Sequence, residues 1–274
     1  FFAAAGLAQH IWDDLDALAI QYTGKKIPML TGLGCTETAP SATFASVEES
    51  TSGVIGVPAP GVSIKLVPNE GKLEARVKAE TVMPGYWRQP ELTAKAFDEE
   101  GYYCLGDAFA YLDELEPQRG FRFDGRVSED FKLDSGTWVS AGTLRAKFIS
   151  AFAPFAQDVV LCGTNRGYIT ALIFPDWAHC QAILPHDLLE TNEEIIAHSA
   201  VREAFKQKLV EFSKNSTGSS TVVQRILLQA TPPSIDAHEV TDKGSLNQRA
   251  VQAHREDQIE LLYQEPLADL VISL

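Results

Sequence analysis

Basic residues are scarce in this 274-residue chain, which has 23 Lys and Arg against 37 Asp and Glu and a formal net charge of −14. Nucleic-acid binding depends on clustered Lys and Arg that neutralise phosphates, so nucleic acid is not an expected partner. Apolar runs of membrane-spanning length are missing as well, and a membrane is therefore not an expected partner either. The acidic surface by itself indicates no more than solubility.

Cysteine is also rare. The four cysteines, Cys35, Cys104, Cys162 and Cys180, show neither metal-ligand spacing nor the density of a disulfide framework. The histidines show no paired spacing typical of zinc sites. A Gly-x-Ser-x-Gly elbow is missing, which argues against a serine hydrolase. Together these absences favour a reducing, cytoplasmic setting.

The chain does have an apolar content of 45%, which is enough to bury a core. At this length we expect the core to be divided between two domains. The polar turn at residues 124–129 is the predicted boundary, and it divides the chain into residues 1–125 and residues 126–274.

The first of these parts has the pattern of an α/β domain followed by a small sheet. Apolar residues recur at helical spacing over residues 7–23, Gly24 ends that pattern, and residues 27–30 favour a short buried strand. This alternation is typical of the last part of a domain with a parallel sheet. Residues 62–67 and 72–77 predict a hairpin in a small barrel or antiparallel sheet. Further predicted elements are a short helix at 90–97 and strands at 102–112 and 120–123.

The second part has the pattern of a compact α+β unit. Its predicted elements are a hairpin at 131–139, a helix at 141–152, strands near 157–162 and 168–175, a long helix at 192–214 and a strand at 222–230.

Three short turns carry polar groups next to apolar runs. They run from Gly34 to Thr38, from Leu105 to Asp107, and from Gly125 to Arg126. They supply a hydroxyl beside a carboxylate, a second carboxylate and a guanidinium, which suit a magnesium-bound phosphate and a ribose. Each turn alone is an ordinary capping or turn sequence. Their order along the chain predicts one site assembled from separate loops.

The same order, with the segment at 83–87 between the first two turns, resembles the adenylate-forming superfamily of acyl-CoA synthetases, luciferases and peptide-synthetase adenylation domains. Residues 29–40 and 241–251 are similar to those of the feruloyl-CoA synthases. The resemblance runs from Phe1 onward. It implies an α/β fold: the C-terminal part of a large domain, with a parallel sheet portion and a small β-barrel, followed by a small α+β lid domain.

The resemblance also implies roles for single residues. Thr36 would hydrogen-bond the α-phosphate, and Glu37 would be the ligand of Mg²⁺, a hard cation that prefers oxygen. Asp107 would accept hydrogen bonds from the ribose hydroxyls, and Arg126 would reach the ribose. Ser128 falls at the position of the hinge between the domains. The other implied nucleotide-binding positions are Ala5, Gly32, Leu33, Gly34 and Lys132.

Some positions depart from the family pattern. Leu33 replaces an aromatic residue expected near the adenine, and Leu105 replaces a threonine. The lysine that catalyses adenylation in the family follows a glycine, but Gly244 is followed here by Ser245. Lys243 lies two residues earlier, and in an extended segment residues two apart project to the same side. The hypothesis is that Lys243 takes over the catalytic role; the alternative is a solvated loop lysine.

The implied reaction activates an aromatic acid such as ferulate with ATP and Mg²⁺, and then transfers the acyl group from AMP to coenzyme A. Catalysis would consist of positioning and electrostatic stabilisation. The sequence has no Gly/Ser/Thr-rich loop ending in Lys, which in the family cradles the triphosphate. We therefore expect a fragment that lacks the N-terminal phosphate loop and does not adenylate a substrate alone.

Other interpretations stay open. The chain could come from a CoA ligase for another carboxylic acid, or it could be a non-catalytic fragment that binds a nucleotide or a partner. The small-molecule partners expected are an aromatic acid, ATP and coenzyme A, and a homodimer is an open alternative to a monomer.

Overall fold

The structure is a computed structural model of the chain. It describes residues 1–2, 6–69, 71–185, 191–241 and 244–274. These residues form two compact units, Phe1–Ser128 and Glu129–Leu274. The units divide between Ser128 and Glu129, close to the predicted division between residues 125 and 126. None of the helices in the described ranges combines the length and apolar character needed to cross a bilayer.

The first unit begins with the predicted amphipathic helix, α1, which spans Gln9–Thr23. It buries Trp12 and ends at Gly24, whose φ of 75° closes the last turn through a hydrogen bond from its N–H to the Ile20 carbonyl. Residues 27–30, predicted to be a strand, are not in a regular strand. The Phe2 N–H nevertheless donates to the Leu30 carbonyl at 2.7 Å, so the two segments are neighbours.

The strands of this unit form one sheet in the order β1-β2-β3-β7-β6-β5-β4. The pairs between its described neighbours are antiparallel, and the sheet is open, with β1 and β4 at its edges. The predicted hairpin is confirmed as β4 and β5. The elements are β1 Gly32–Leu33, β2 Thr43–Phe44, β3 Val54–Pro58, β4 Ser63–Asn69, β5 Lys72–Lys78, α2 Pro90–Ala96, β6 Tyr103–Tyr111 and β7 Phe121–Arg126.

The second unit is built on a four-stranded sheet in the order β10-β11-β12-β13, in which β11 and β12 are parallel. A separate hairpin, β8 and β9, precedes it. The elements are β8 Phe131–Lys132, β9 Trp138–Val139, α3 Ala141–Phe152, β10 Ala156–Cys162, β11 Ile169–Pro175, α4 Trp177–Ala182, α5 Asn192–Ala197, α6 Ser199–Lys214, β12 Val223–Leu228, α7 Gln248–His254, α8 Glu256–Tyr263 and β13 Ile272–Ser273.

Helices cover both faces of this sheet. Val159 and Leu161 of β10 belong to a core shared with α3 and α6, whereas Val160 and Cys162 belong to a core shared with α7 and α8. Strands buried on both faces have nearly continuous apolar sequences, which is the pattern of β10 and β11. The predicted helix at 192–214 is broken at His198, whose ψ of 134° is extended and whose ring accepts a hydrogen bond from Ala200 N–H.

Candidate functional site

The turn that carries Thr36 and Glu37 is built on two glycines that touch neighbouring backbone. A Cβ atom on Gly32 would lie 2.3 Å from the Thr43 carbonyl oxygen, and one on Gly34 would lie 1.8 Å from the Pro40 carbonyl oxygen. The chain therefore folds back on itself too closely for any side chain at these two positions. Packing alone therefore requires glycine at both positions, and the two glycines by themselves do not indicate a ligand.

The two threonines of this turn have different roles. Residues Thr36–Thr38 form a short 3₁₀ helix. The buried Thr38 hydroxyl accepts a hydrogen bond from Cys35 N–H at 3.0 Å and contacts the Cys35 carbonyl at 3.1 Å, so it holds the turn together. Thr36 is exposed at the start of the helix. Of the two hydroxyls, that of Thr36 is accessible to a ligand.

Glu37 is held from a distant part of the chain. The Tyr86 hydroxyl donates to Glu37 Oε1 at 2.9 Å, and Met83 N–H donates to the Glu37 carbonyl at 2.8 Å. The sequence pattern includes the segment at 83–87 but indicates no role for Tyr86. Its position between the first two turns was the only signal available.

Cys35 lies beside these candidates in surroundings that disfavour its thiolate. Burial is the largest effect on its thiol and raises its pKa above the ordinary value, and the charge of Glu37 acts in the same direction. Since the thiolate is the reactive form of cysteine, these surroundings do not favour Cys35 as a nucleophile.

Asp107 and Arg126 lie opposite each other on β6 and β7. Arg126 Nε is 3.5 Å from Asp107 Oδ1, and the Asp107 side chain is 16% exposed whereas that of Arg126 is 64% exposed. The ladder is irregular between Asp107 and Phe109, and Gly106 has a φ of 70°. Such irregularities redirect side chains next to binding sites.

The strand that precedes the Thr36–Thr38 turn and the strand of Asp107 share one small core. Leu33 and Leu105 both pack against a cluster that includes Phe109 and Phe121. A second link runs from Glu37 through Tyr86, whose hydroxyl is 3.5 Å from that of Tyr103 at the start of β6. The structure thus brings the two groups of candidate residues to connected elements of the first unit.

Glu37 would supply one of the ligands of a magnesium ion, and the others would come from outside the protein. Within the described ranges, no group of three or more His, Cys, Asp or Glu side chains could hold a metal. Mg²⁺ commonly binds through one or two carboxylates and takes its other ligands from phosphates and water. A single carboxylate beside an exposed hydroxyl fits that mode.

The remaining candidate residues lie elsewhere. Ser128 is in the 3₁₀ turn Val127–Glu129, where the two units divide. Lys132 belongs to the second unit, where its Nζ is 4.5 Å from the centre of the Trp138 ring. Ala5 and Lys243 are outside the described residues.

The described residues on the two sides of residues 242–243 are hydrogen-bonded to each other. Thr241 N–H donates to the Ser245 carbonyl and Gly244 N–H donates to the Thr241 carbonyl, both at 2.8 Å. Gly244 has a φ of 79°. The predicted extended segment includes Lys243, which lies outside the described residues, so the expectation that Lys243 and Ser245 project to the same side stays a prediction. The catalytic role of Lys243 itself stays a hypothesis.

Comparison with known proteins gives the family context of this geometry. Residues 135–266 match the family model described as AMP-binding enzyme C-terminal domain. The chain is 27% identical over 192 residues to a carboxylic acid reductase of Segniliparus rugosus, which covers 69% of this chain and 15% of the reductase. It is 26% identical over 247 residues to human long-chain-fatty-acid–CoA ligase 6, which covers 85% of this chain and 34% of that ligase.

A solved structure extends the similarity over nearly the whole chain. The anthranilate CoA ligase AuaEII in complex with anthranoyl-AMP has a TM-score of 0.65 at 19% identity, covering 94% of this chain and 43% of the ligase. The predicted α/β fold is confirmed: it is that of the C-terminal part of adenylate-forming enzymes. The chain spans about a third or less of the length of these curated relatives.

Proposed function

We propose that this chain is the AMP-binding C-terminal portion of an acid–thiol ligase that activates an aromatic carboxylic acid with ATP and transfers it to coenzyme A. The observation that carries the proposal is the joint placement of two groups on connected elements. One is the exposed Thr36 beside Glu37; the other is Asp107 paired with Arg126. These groups match the phosphate and the ribose of one nucleotide.

Different residues of the first unit are proposed to bind different parts of the nucleotide. Thr36 donates its hydroxyl to an α-phosphate oxygen, and Asp107 accepts from the ribose hydroxyls. Arg126 has a largely exposed guanidinium, which holds the Asp107 carboxylate and reaches the ribose. Bound at Glu37, Mg²⁺ would neutralise phosphate charge.

The reaction needs no protein nucleophile. The substrate carboxylate attacks the α-phosphorus of ATP and pyrophosphate leaves; the thiolate of coenzyme A then attacks the acyl carbon and AMP leaves. The protein orients these groups and stabilises phosphoryl charge. Ser128 lies where the chain passes from the first unit to the second. It is proposed as the hinge about which the second unit rotates between the two half-reactions. In the second unit, Lys132 is proposed to bind the nucleotide and Lys243 is proposed as the catalytic lysine.

An aromatic acid is the proposed substrate class. Two observations support it: the similarity of residues 29–40 and 241–251 to feruloyl-CoA synthases, and the fold shared with an anthranilate CoA ligase. A fatty-acid ligase among the relatives makes an aliphatic acid the competing candidate. Feruloyl and palmitoyl sulfamoyl-adenosines carry the same nucleoside and differ only in the acyl group. Their affinities for the chain, measured by calorimetry, therefore report which class of acid is preferred.

The 274 residues alone are proposed to bind AMP without adenylating an acid. The sequence contains no Gly/Ser/Thr-rich loop ending in Lys, and such a loop supplies most backbone donors to a triphosphate. The four free cysteines agree with the proposed reducing, cytoplasmic setting.

The test is AMP binding by the 274-residue chain and its Asp107→Asn variant, measured by calorimetry. A hydrogen bond to a charged group contributes about 1.5–3 kcal/mol, so the variant should bind AMP roughly 10-fold to 100-fold more weakly. Asp113→Asn is the matched control, since Asp113 caps the Leu115 N–H in a surface turn. Equal affinities of the Asp107 variant and the wild type would contradict the proposal. Binding of AMP without any acyl preference would instead favour a nucleotide-binding fragment.

A further inference from the structure

Glu37 is contacted by one segment at two points, and this arrangement goes beyond the site described so far. Met83 N–H fixes the backbone of Glu37, and the Tyr86 hydroxyl fixes its carboxylate. The hydroxyl bond joins residues 49 positions apart in sequence, so it is a tertiary contact and not a local turn.

Tyr86 is itself locked in place by α2. The Tyr86 N–H donates to Thr93 Oγ1 at 2.9 Å. The Thr93 hydroxyl in turn donates to the Gln89 carbonyl at 2.9 Å. Gly85 lies against this threonine: a Cβ on Gly85 would be 2.6 Å from Thr93 Cγ2, and its φ of 151° is unusual for other residues. Glycine at position 85 therefore lets the chain pass close to α2 and aim the Tyr86 ring at Glu37.

The phenol is suited to donate to the carboxylate. Its hydroxyl lies 2.9 Å from Glu37 Oε1, and an ionised carboxylate can only accept hydrogen bonds, so the phenol is the donor of this bond. A fixed donor to a ligating carboxylate restricts the orientation of that carboxylate and favours its charged form.

We propose that Tyr86 is a positioning residue for metal binding at Glu37: it orients the carboxylate that receives Mg²⁺ against the nucleotide phosphate. This inference rests on the proposed function, because it takes Glu37 as the metal ligand. Loss of such an outer partner typically weakens metal affinity about 10-fold to 100-fold.

The test separates metal binding from nucleotide binding in the full 274-residue chain. Electron paramagnetic resonance measures the affinity of Mn²⁺ for the AMP-saturated chain, and calorimetry in EDTA measures the affinity for AMP alone. Tyr86→Phe should weaken Mn²⁺ binding about tenfold or more while AMP affinity in EDTA changes less than about twofold. Tyr102→Phe, on a ring that packs against Lys65 Nζ, is the matched control and should change neither.

Two further results decide the matter. Glu37→Gln should lose Mn²⁺ binding to the same extent, and adding Tyr86→Phe to it should cause no further loss, because the tyrosine acts only through the carboxylate. Unchanged Mn²⁺ affinity in Tyr86→Phe would overturn the proposal. Equal weakening of AMP binding in EDTA would also overturn it, since the tyrosine would then only support the loop. A wild-type chain that binds no AMP in EDTA would instead contradict the proposed function.

Discussion

At the scale of single residues, the site depends on glycines as well as on the polar side chains that would contact the ligand. Gly34 is the clearest case, because a Cβ there would lie 1.8 Å from backbone atoms of Pro40. Backbone cannot move aside as the end of a flexible side chain can. Gly34 therefore sets the path of the chain that exposes Thr36 and buries Thr38.

Gly34→Ala is expected to damage both stability and binding. Forcing an extra methyl group into packed structure costs about 1–3 kcal/mol, and relieving the clash displaces Thr36 and Glu37. Urea unfolding and AMP calorimetry should show both losses. Gly218→Ala is the control, since a Cβ at Gly218 meets nothing within 4 Å. If Gly34→Ala matched that control in both measurements, the close approach of the backbone would not be important for the site.

The roles of Thr36 and Thr38 show what sequence can and cannot predict at this scale. The resemblance, and not the turn alone, predicted a phosphate-binding hydroxyl at Thr36, and that role stays a prediction. The sequence could not show that Thr38 closes the turn on Cys35, or that Tyr86 holds Glu37. The first contact depends on backbone angles, and the second joins distant segments.

At the scale of elements, a buried ion pair connects α7 and α8 to the loop before them. Arg255, between the two helices, contacts Glu239 through Nε at 3.1 Å and Nη2 at 2.8 Å. It also donates to Gln229 and to the carbonyls of Thr231 and Pro232. The side chains of Arg255 and Glu239 are 8% and 3% exposed, and the hydrogen bond from Arg255 lowers the pKa of Glu239.

Arg255→Met should destabilise the second unit strongly. Removing one partner of a buried ion pair leaves the other charge uncompensated and costs about 3–5 kcal/mol. Arg166→Met is the matched control: it breaks the exposed pair with Glu260, which is worth at most about 1 kcal/mol. Urea unfolding should show this difference, and Arg255→Met with Glu239→Met should recover part of the loss. Similar effects of the two single variants would show that the buried pair does not anchor the loop.

The regularity of apolar residues explains which of these helices the sequence predicted. The helix α3 has the predicted bounds of 141–152 because its apolar residues recur regularly along one face. The helices α7 and α8 were not predicted. The inward-facing residues of α7 include polar ones: the buried Gln248 and the partly buried Gln252 donate to the carbonyls of Val159 and Leu161 on the edge strand β10. Burial of satisfied polar groups weakens the apolar period that identifies a helix.

At the scale of the whole molecule, the two units differ in how their cores are made. The second unit buries both faces of its sheet in two large clusters. The first unit has a small described cluster of Ile55, Ala75, Phe109 and Phe121. Leu33 and Leu105, which precede the candidate residues Thr36 and Asp107 in the chain, pack against that cluster.

The central claim is that the Thr36–Thr38 turn and the Asp107–Arg126 pair hold one molecule of AMP. A crystal structure of the 274-residue chain with AMP tests it most directly. The account predicts the ribose hydroxyls within hydrogen-bond distance of Asp107 and the phosphate beside Thr36. AMP bound on any other face of the first unit, or ordered only on the second unit, would contradict it.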